Sequence, residues 1–252
     1  MSLYKVSYSS VNIKGNARET NQDNFYACGE YRKGSDGSAD IVTSGEFDSD
    51  SGCIVAVYDG MGGEQRGEMA SLIAARCTEE ADKKVSSGAK ILSELFLKAD
   101  RYISEFAGQN NISCMGTTAA ALRFDGTSIV AANVGDSAIY RLTNGRLYKM
   151  SREHTVFSAA LGHSALTQFL GISASDELVP DPFFDECGYV DSSRFLICSD
   201  GVTRVLPDGV IRSVISCGTV HDAALRLVSE SLKNGSRDNI TVLLCEIKKG
   251  EN

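Results

Sequence analysis

The sequence predicts an α+β fold in which two antiparallel sheets pack face to face and helices cover the outsides. Short β-branched runs follow one another with two-residue turns, Asp125-Gly126 and Asn144-Gly145, which are typical of antiparallel hairpins. Strands and helices also come in groups, strands then helices then strands again, instead of alternating as βαβ units do. We therefore expect a four-layer α-β-β-α sandwich.

Strands are expected where β-branched and aromatic residues cluster between turn residues. They are residues 3–11, 23–28, 52–58, 117–124, 128–134, 138–142, 146–150, 188–190, 194–198 and 240–247. The acidic, Ser- and Gly-rich stretch 34–52 is interpreted as a surface loop, with a short extra hairpin as an alternative.

Helices are expected at residues 67–85, about 91–106, 208–215 and 220–232. In the second of them apolar residues recur every three or four positions from Ile91 to Phe106, which is the spacing of one buried helix face. Together with the strands, these helices are expected to form one domain over residues 1–252.

The composition argues against several classes of partner. The formal net charge is −8 and no basic cluster interrupts the acidic excess, so nucleic acid and anionic membrane are poor partners. The longest apolar runs are far shorter than the roughly 20 residues of a spanning helix. The amino terminus lacks the pattern of a secretory signal, and the 8 cysteines form no C-x-x-C pair. We expect a cytoplasmic monomer with reduced thiols.

Three aspartates stand at the ends of strands that should be buried. Asp59 and Asp200 each end an apolar run, and Asp238 precedes another. A single Asp-Gly pair is more often a turn, but three such carboxylates brought together repel one another unless a cation is present. Mg²⁺ and Mn²⁺ prefer oxygen ligands, and two such ions ~3.5–4 Å apart can activate a water for phosphoryl displacement.

The glycine-dense segment after Asp59 allows a second interpretation. A phosphate-binding loop is one possibility, yet the segment matches neither G-x-x-x-x-G-K-[ST] nor G-x-G-x-x-G. The close backbone approach that glycine permits would instead present the carbonyl of Gly60 as a metal ligand beside Asp59, and this use is preferred.

Six short motifs occur in an order that resembles the metal-dependent type 2C protein phosphatases, the PPM family, and in particular its compact bacterial members. They are RETNQD (18–23), VYDGMGG (57–63), GTT (116–118), NVGDS (133–137), CSDGV (198–202) and RDNITV (237–242). The resemblance covers nearly the whole chain. It implies the α-β-β-α sandwich and the hydrolysis of phosphoserine and phosphothreonine in one displacement, with a water between two Mn²⁺ or Mg²⁺ ions.

The resemblance also assigns roles to individual residues. Asp59 would bridge both ions, and Gly60 would give its carbonyl to one of them. The other assigned residues are Asp200 and Asp238 as ligands, Asp23 in a water-mediated shell, Asp136 with Asp200 at a third, weaker ion, Asn239 as the neighbour that orients the site, and Arg18 as the phosphate-binding arginine. Residues 152–180 resemble a shortened form of the family's flap. The implied substrates are proteins that a Ser/Thr kinase has phosphorylated.

Three hypotheses remain open at this point. The chain is either an active phosphatase or a pseudophosphatase that binds phosphoproteins, and the retention of all three acids favours the active enzyme. A phosphoesterase for a small metabolite is the third hypothesis, which only substrate profiling distinguishes. His154 and His163 lie in the flap-like region, where a histidine can contact substrate or take part in catalysis, but both are interpreted as ordinary surface residues and neither is assigned to the site.

Overall fold

The structure is a computed structural model that describes residues 4–34, 40–62, 66–83, 87–158, 163–171 and 179–250. Its elements in chain order are β1 (Tyr4–Ile13), β2 (Asp23–Ala27), β3 (Ile41–Asp48), β4 (Ile54–Met61), α1 (Gly67–Asp82), α2 (Gly88–Gln109), β5 (Gly116–Thr117), β6 (Ala119–Phe124), β7 (Ile129–Val134), β8 (Ala138–Thr143), β9 (Arg146–Lys149), β10 (Thr155–Ser158), β11 (His163–Leu166), β12 (Phe183–Cys187), β13 (Arg194–Cys198), α3 (Asp200–Thr203), α4 (Asp208–Ile215), α5 (Val220–Lys233) and β14 (Ile240–Lys249).

The strands form two large antiparallel sheets. The first sheet has the order β3-β1-β14-β13-β8-β9, and the second has the order β12-β7-β6-β4-β2 with β5 paired to β4. Strands β10 and β11 form a separate hairpin. The central strands β13, β14 and β4 are buried along almost their whole length.

Alternation along β4 shows how the four layers pack. Ile54, Ala56 and Tyr58 belong to the apolar cluster that contains α1 and α2 residues, whereas Val55 and Val57 belong to the cluster between the two sheets. A third cluster joins the outer face of the first sheet to α4 and α5. Because successive side chains of a strand point to opposite faces, a fully apolar strand has apolar neighbours on both sides. The predicted α-β-β-α sandwich is confirmed.

One prediction about the first sheet is wrong. Residues 41–48 were expected within a surface loop, but they form β3, which pairs with β1 along the sheet edge. The strand alternates half-buried and exposed residues, with Ile41 and Phe47 on the inner side. The inner side also carries Thr43 and Gly45, and the outer side carries Val42, so the sequence does not alternate cleanly between apolar and polar residues.

Smaller differences concern the second half of the chain. The strand expected at 188–190 lies at Phe183–Cys187, and the short helix α3 was not predicted. The hairpin β10-β11 falls within the predicted flap, while residues 159–162 and 172–178 of that flap lie outside the described residues. The same holds for residues 35–39 of the predicted loop, for 63–65 of the glycine-dense motif and for 84–85 of the first predicted helix. No helix in the described ranges is both long and apolar enough to cross a membrane.

Candidate active site

The predicted acids meet at one end of the sandwich because the strands that carry them end there. Asp23 in β2 lies directly opposite Asp59 in β4 in the strand register. On the other sheet β13 runs antiparallel to β14. Asp200, the second residue after β13, and Asp238 and Asn239, the two residues before β14, therefore come to the same edge. The fifth acid, Asp136, lies in the turn between β7 and β8, where the chain passes from one sheet to the other.

The shifted pKa values show that these carboxylates interact. Burial raises the pKa of Asp59 well above its usual range, and the charges of Asp23, Asp200, Asp136 and Asp238 raise it further. Burial also raises the pKa of Asp23 to about 6, against hydrogen bonds that lower it. The site therefore concentrates negative charge in a place that water solvates poorly, which is an environment that attracts cations.

Hydrogen bonds fix Asp23 and the main chain near Asp59. The hydroxyl of Thr241 in β14 donates to Asp23 Oδ2 at 2.7 Å. This hydrogen bond links β14 of the first sheet to β2 of the second. The amide of Asp59 donates to Thr118 Oγ1 at 3.1 Å, and that hydroxyl lies 2.6 Å from Ser137 Oγ, beside Asp136. The acid-bearing segments of both sheets thus share polar contacts.

Gly60 is enclosed by main-chain atoms. A Cβ at this position would lie 2.2 Å from the carbonyl oxygen of Gly67 and 2.4 Å from that of Gln22. The Gly60 amide donates to the same Gln22 carbonyl at 3.2 Å. Such a close approach of three backbone segments requires glycine, as the sequence suggested for this position.

Asn239 holds the segment that carries Arg18. Its Nδ2 donates to the carbonyls of Lys14 and Thr20, at 2.8 and 3.0 Å, and its Oδ1 accepts from the Gln22 amide at 2.9 Å. All of these contacts are with the main chain between β1 and β2. The amide side chain therefore positions that connection, which agrees with an orienting role.

Arg18 lies at the open side of the acid cluster. Its Nη2 donates to Asp238 Oδ2 at 2.7 Å, and 53% of its side chain is exposed. Asp238, Asp200 and Asp59 all raise the pKa of this guanidinium, the hydrogen bond to Asp238 most strongly. A planar, exposed guanidinium at the mouth of an acidic site is suited to binding a phosphate group.

Asp200 binds a second arginine that the sequence analysis did not assign. Arg204 Nη2 forms an ion pair with Asp200 Oδ2 and lies 3.7 Å from Asp136 Oδ2. Burial raises the pKa of Asp200 to about 7, Asp136 adds to the shift, and Arg204 opposes it. The spacing of four residues from Asp200 was the available signal, because side chains at that separation face each other on a helix.

His154 was interpreted as a surface residue, but it is buried beside the turn that carries Asp136. Its Nδ1 accepts a hydrogen bond from the Gly135 amide at 3.0 Å, and its own amide donates to the Gly135 carbonyl at 3.0 Å. Burial lowers the pKa of this imidazole, which keeps it neutral. His154 therefore positions the turn and does not add charge to the site; the side chain of His163 lies outside what the structure describes.

A cavity of about 500 Å³ adjoins the acids. Asp136, Asp200 and Arg204 line one side of it, and Thr155 and Ser164 of the β10-β11 hairpin line another. The flap-like hairpin therefore borders the approach to the acid cluster.

The donor set at the cluster fits divalent metal ions. Asp200 Oδ1 is buried and has no hydrogen-bond partner among the described residues, which leaves one carboxylate oxygen of the cluster available to a cation. All of the clustered side chains are hard oxygen donors, which Mg²⁺ and Mn²⁺ prefer. No group of three or more His, Cys, Asp or Glu within the described ranges has the geometry of a complete metal site as it stands. Two of the acids are instead paired with Arg18 and Arg204, and these metals ordinarily keep several waters and take few protein carboxylates per ion.

Comparisons with known proteins agree with this geometry. The family model described as Protein phosphatase 2C matches residues 39–235. The chain is 30% identical over 215 residues to the serine/threonine phosphatase stp of Listeria monocytogenes serovar 1/2a, which covers 77% of this chain and 84% of that protein. It is 26% identical over 209 residues to the serine/threonine protein phosphatase PstP of Mycobacterium tuberculosis, covering 77% of this chain and 40% of the relative.

Solved structures show the same fold. The catalytic domain of PstP, crystallised with 2 manganese ions, superposes with a TM-score of 0.78 at 23% identity and covers 98% of this chain and 100% of that one. The phosphatase MsPP of Mycobacterium smegmatis, in complex with cacodylate, gives 0.73 at 24% identity over 96% of this chain and 98% of its own. With its six motifs in order, its sandwich fold and its acid cluster, the chain belongs to the protein phosphatase 2C family.

Proposed function

We propose that this chain carries out the reaction of its family, the hydrolysis of phosphoserine and phosphothreonine in proteins, at the acid cluster between the two sheets. Family membership makes it a metal-dependent phosphoprotein phosphatase. The observation that carries the proposal for the site is the convergence of five buried or half-buried aspartates beside an exposed arginine. They are Asp23, Asp59, Asp136, Asp200, Asp238 and Arg18.

Two ions, Mn²⁺ or Mg²⁺, are assigned to this cluster. Asp59, the Gly60 carbonyl, Asp200 and Asp238 would hold them, and Asp23 would contact one through water. The raised pKa values of Asp23, Asp59 and Asp200 support this assignment, because burial and, after it, the neighbouring carboxylates disfavour the ionised forms, and a bound cation would offset both effects. When bound, such ions lower the pKa of water and neutralise the oxygens of a phosphoryl group in displacement.

The chain's own residues bind and orient the substrate. Arg18 would take the phosphate oxygens with its exposed guanidinium, and Asn239 holds the segment from which Arg18 extends. Asp59, within β4, and Asp238, two residues before β14, would hold the ions through their carboxylates. A single displacement by water needs no covalent nucleophile from the protein, and we assign none.

The proposed substrates are proteins that a Ser/Thr kinase has phosphorylated. The hairpin at the cavity, within the flap at residues 152–180, would shape access for them. We further propose that the chain works as a cytoplasmic monomer and that residues 1–252 form one catalytic domain. The third ion at Asp136 and Asp200 is not part of this proposal, since Arg204 already contacts both acids.

Hydrolysis assays test the proposal directly. Turnover of p-nitrophenyl phosphate and of a phosphothreonine peptide would be measured with Mn²⁺, with Mg²⁺ and with EDTA, for the natural chain and for Asp200→Asn. We expect activity that requires metal and is lost in the variant, while circular dichroism shows both proteins folded.

Two other outcomes point to the alternatives. A folded protein without turnover under any metal would favour a pseudophosphatase that binds phosphoproteins. Metal-dependent hydrolysis of small phosphate esters without activity on any phosphopeptide would favour a metabolite phosphoesterase. Turnover that EDTA leaves unchanged would contradict the two-metal site itself.

A further inference from the structure

Arg204 is the second cation of the site, and its contacts differ from those of Arg18. It follows the last residue of α3, and its Nη2 contacts carboxylates from two parts of the chain, Asp200 Oδ2 and, at 3.7 Å, Asp136 Oδ2. The side chains of Asp200 and Asp136 are only 10% and 14% exposed, whereas that of Arg204 is 63% exposed. An exposed ion pair contributes little, but a cation shared by two largely buried carboxylates removes repulsion that water cannot screen.

The two carboxylates that Arg204 contacts are the pair to which the family resemblance assigns a third ion. A guanidinium within 4 Å of both acids supplies one positive charge there, and a divalent ion placed between them would lie against it. Two cations that contact the same two carboxylates repel each other. The residues present at this position therefore do not fit a third ion.

The two oxygens of Asp200 have different surroundings. Oδ2 pairs with Arg204, whereas Oδ1 is buried and without a hydrogen-bond partner in the part of the chain that the structure describes. One carboxylate thus has one oxygen engaged by the arginine and one free for an ion of the main site. The pairing at Oδ2 also restricts rotation of the carboxylate, which fixes the direction of Oδ1.

We propose that the Arg204 guanidinium takes the place of the third ion in this chain, neutralising Asp136 and Asp200 and orienting Asp200 toward the two-metal site. Arg204 is thus a positioning residue. The chain binds two divalent ions, and a third would bind at Asp136 and Asp200 only if Arg204 were replaced by an uncharged residue. This inference rests on the proposed function, because it presupposes the two main ions.

The test counts bound metal. Mn²⁺ bound per chain would be measured by electron paramagnetic resonance of free Mn²⁺ during titration of the EDTA-treated protein, up to millimolar Mn²⁺. The variants are Arg204→Ala, Arg204→Gln, which keeps a polar side chain without charge, and Arg204→Lys, which keeps the charge. Arg212→Ala, an exposed arginine of α4, is the matched control, and thermal melting verifies that each protein is folded.

We expect about two bound Mn²⁺ in the natural chain, in Arg204→Lys and in Arg212→Ala, and one additional weak site in Arg204→Ala and Arg204→Gln. Adding Asp136→Ala to Arg204→Ala should remove the additional site. A natural chain that binds three ions, or neutral variants that gain none, would overturn the inference while leaving the two-metal proposal intact. A natural chain that binds no Mn²⁺ would overturn both.

Discussion

Lowering the pH should weaken Mn²⁺ binding strongly, because protons compete for the carboxylates of the site. Burial raises the pKa of Asp23 to about 6. Burial, with the charge of Asp136, raises that of Asp200 to about 7. A divalent ion binds the ionised form, so each proton that remains on these groups must leave before the ion enters.

The size of the effect follows from these two values. With a pKa of about 7, Asp200 is ionised in roughly one molecule in ten at pH 6 and in roughly nine in ten at pH 8. Asp23, with a pKa of about 6, goes from roughly half ionised to almost fully ionised over the same range. The product of the two changes is an affinity roughly 20-fold weaker at pH 6 than at pH 8. Asp59, whose pKa is raised well above the usual range, adds to this dependence.

Isothermal titration calorimetry of the EDTA-treated protein with Mn²⁺ at pH 6, 7 and 8 measures the affinity. Repeating the titration at pH 6.5 in two buffers of different ionisation enthalpy counts the protons released, and we expect more than one per chain. Ordinary carboxyl groups, with pKa values near 4, are fully ionised across this range and would give a constant affinity. A change of less than about twofold, with no proton release, would refute the reasoning from the buried acid cluster.

Three further substitutions test other parts of the site. Asp59→Asn should raise the free energy of unfolding of the metal-free protein at pH 8 by about 1–3 kcal/mol, measured by urea unfolding with EDTA. Folding raises the pKa of Asp59, so ionisation of this carboxyl destabilises the folded protein as the pH rises. The difference in stability between the variant and the natural chain should therefore vanish near pH 4. Gly201→Ala would place a Cβ 2.1 Å from the carbonyl oxygen of Asn239 and should destabilise the protein by about 2–4 kcal/mol. Gly209→Ala, in α4, is the matched control, because no heavy atom lies within 4 Å of the added Cβ, and it should be neutral or slightly stabilising. Thermal melts of both glycine variants measure the difference. Arg18→Ala should chiefly raise KM for the phosphothreonine peptide, by about tenfold or more, and Arg18→Lys should recover only part of this loss.

Each of these expectations has a contrary result. A metal-free Asp59→Asn protein less stable than the natural chain at pH 8 would mean that its carboxylate makes favourable contacts that outweigh repulsion. Equal melting temperatures for the two glycine variants would contradict the packing of α3 against β14. An unchanged KM in Arg18→Ala would remove the proposed phosphate contact.

The acid cluster could be predicted because it depends on where strands end. Asp59 and Asp200 follow apolar runs that are buried on both faces, and antiparallel pairing then brings strand ends together at one edge. The edge strand β3 could not be predicted in the same way. Thr43 and Gly45 lie on its inner side and Val42 on its outer side, so the apolar and polar alternation that predicts a half-buried strand is broken.

Side-chain partners were harder to predict than positions. Nothing in the sequence near His154 indicates that its ring accepts a hydrogen bond from Gly135, because the two residues belong to different connections that the fold brings together. Arg204 lies four residues after Asp200, a spacing that brings two side chains together on a helix, but the short helix α3, which begins at Asp200 and ends just before Arg204, was itself not predicted. Its contact with Asp136 depends on the turn between the two sheets and could not be read from spacing.

The contacts of Arg18 and Arg204 predict that metal binding would break the ion pair of the first and leave that of the second intact. Arg18 pairs with Asp238, the more exposed of the paired acids at 26%, and the ion pair uses an oxygen that a metal ligand would need. Asp238 would hold an ion only in competition with Arg18, and the guanidinium would then be available to bind phosphate. Arg204 pairs with Asp200 through Oδ2 and leaves Oδ1 free, so metal binding and this ion pair are compatible. Arg18 would thus be a counter-ion that metal replaces, and Arg204 would be one that stays when metal binds. The difference between them lies in which oxygens of Asp238 and Asp200 remain unpaired.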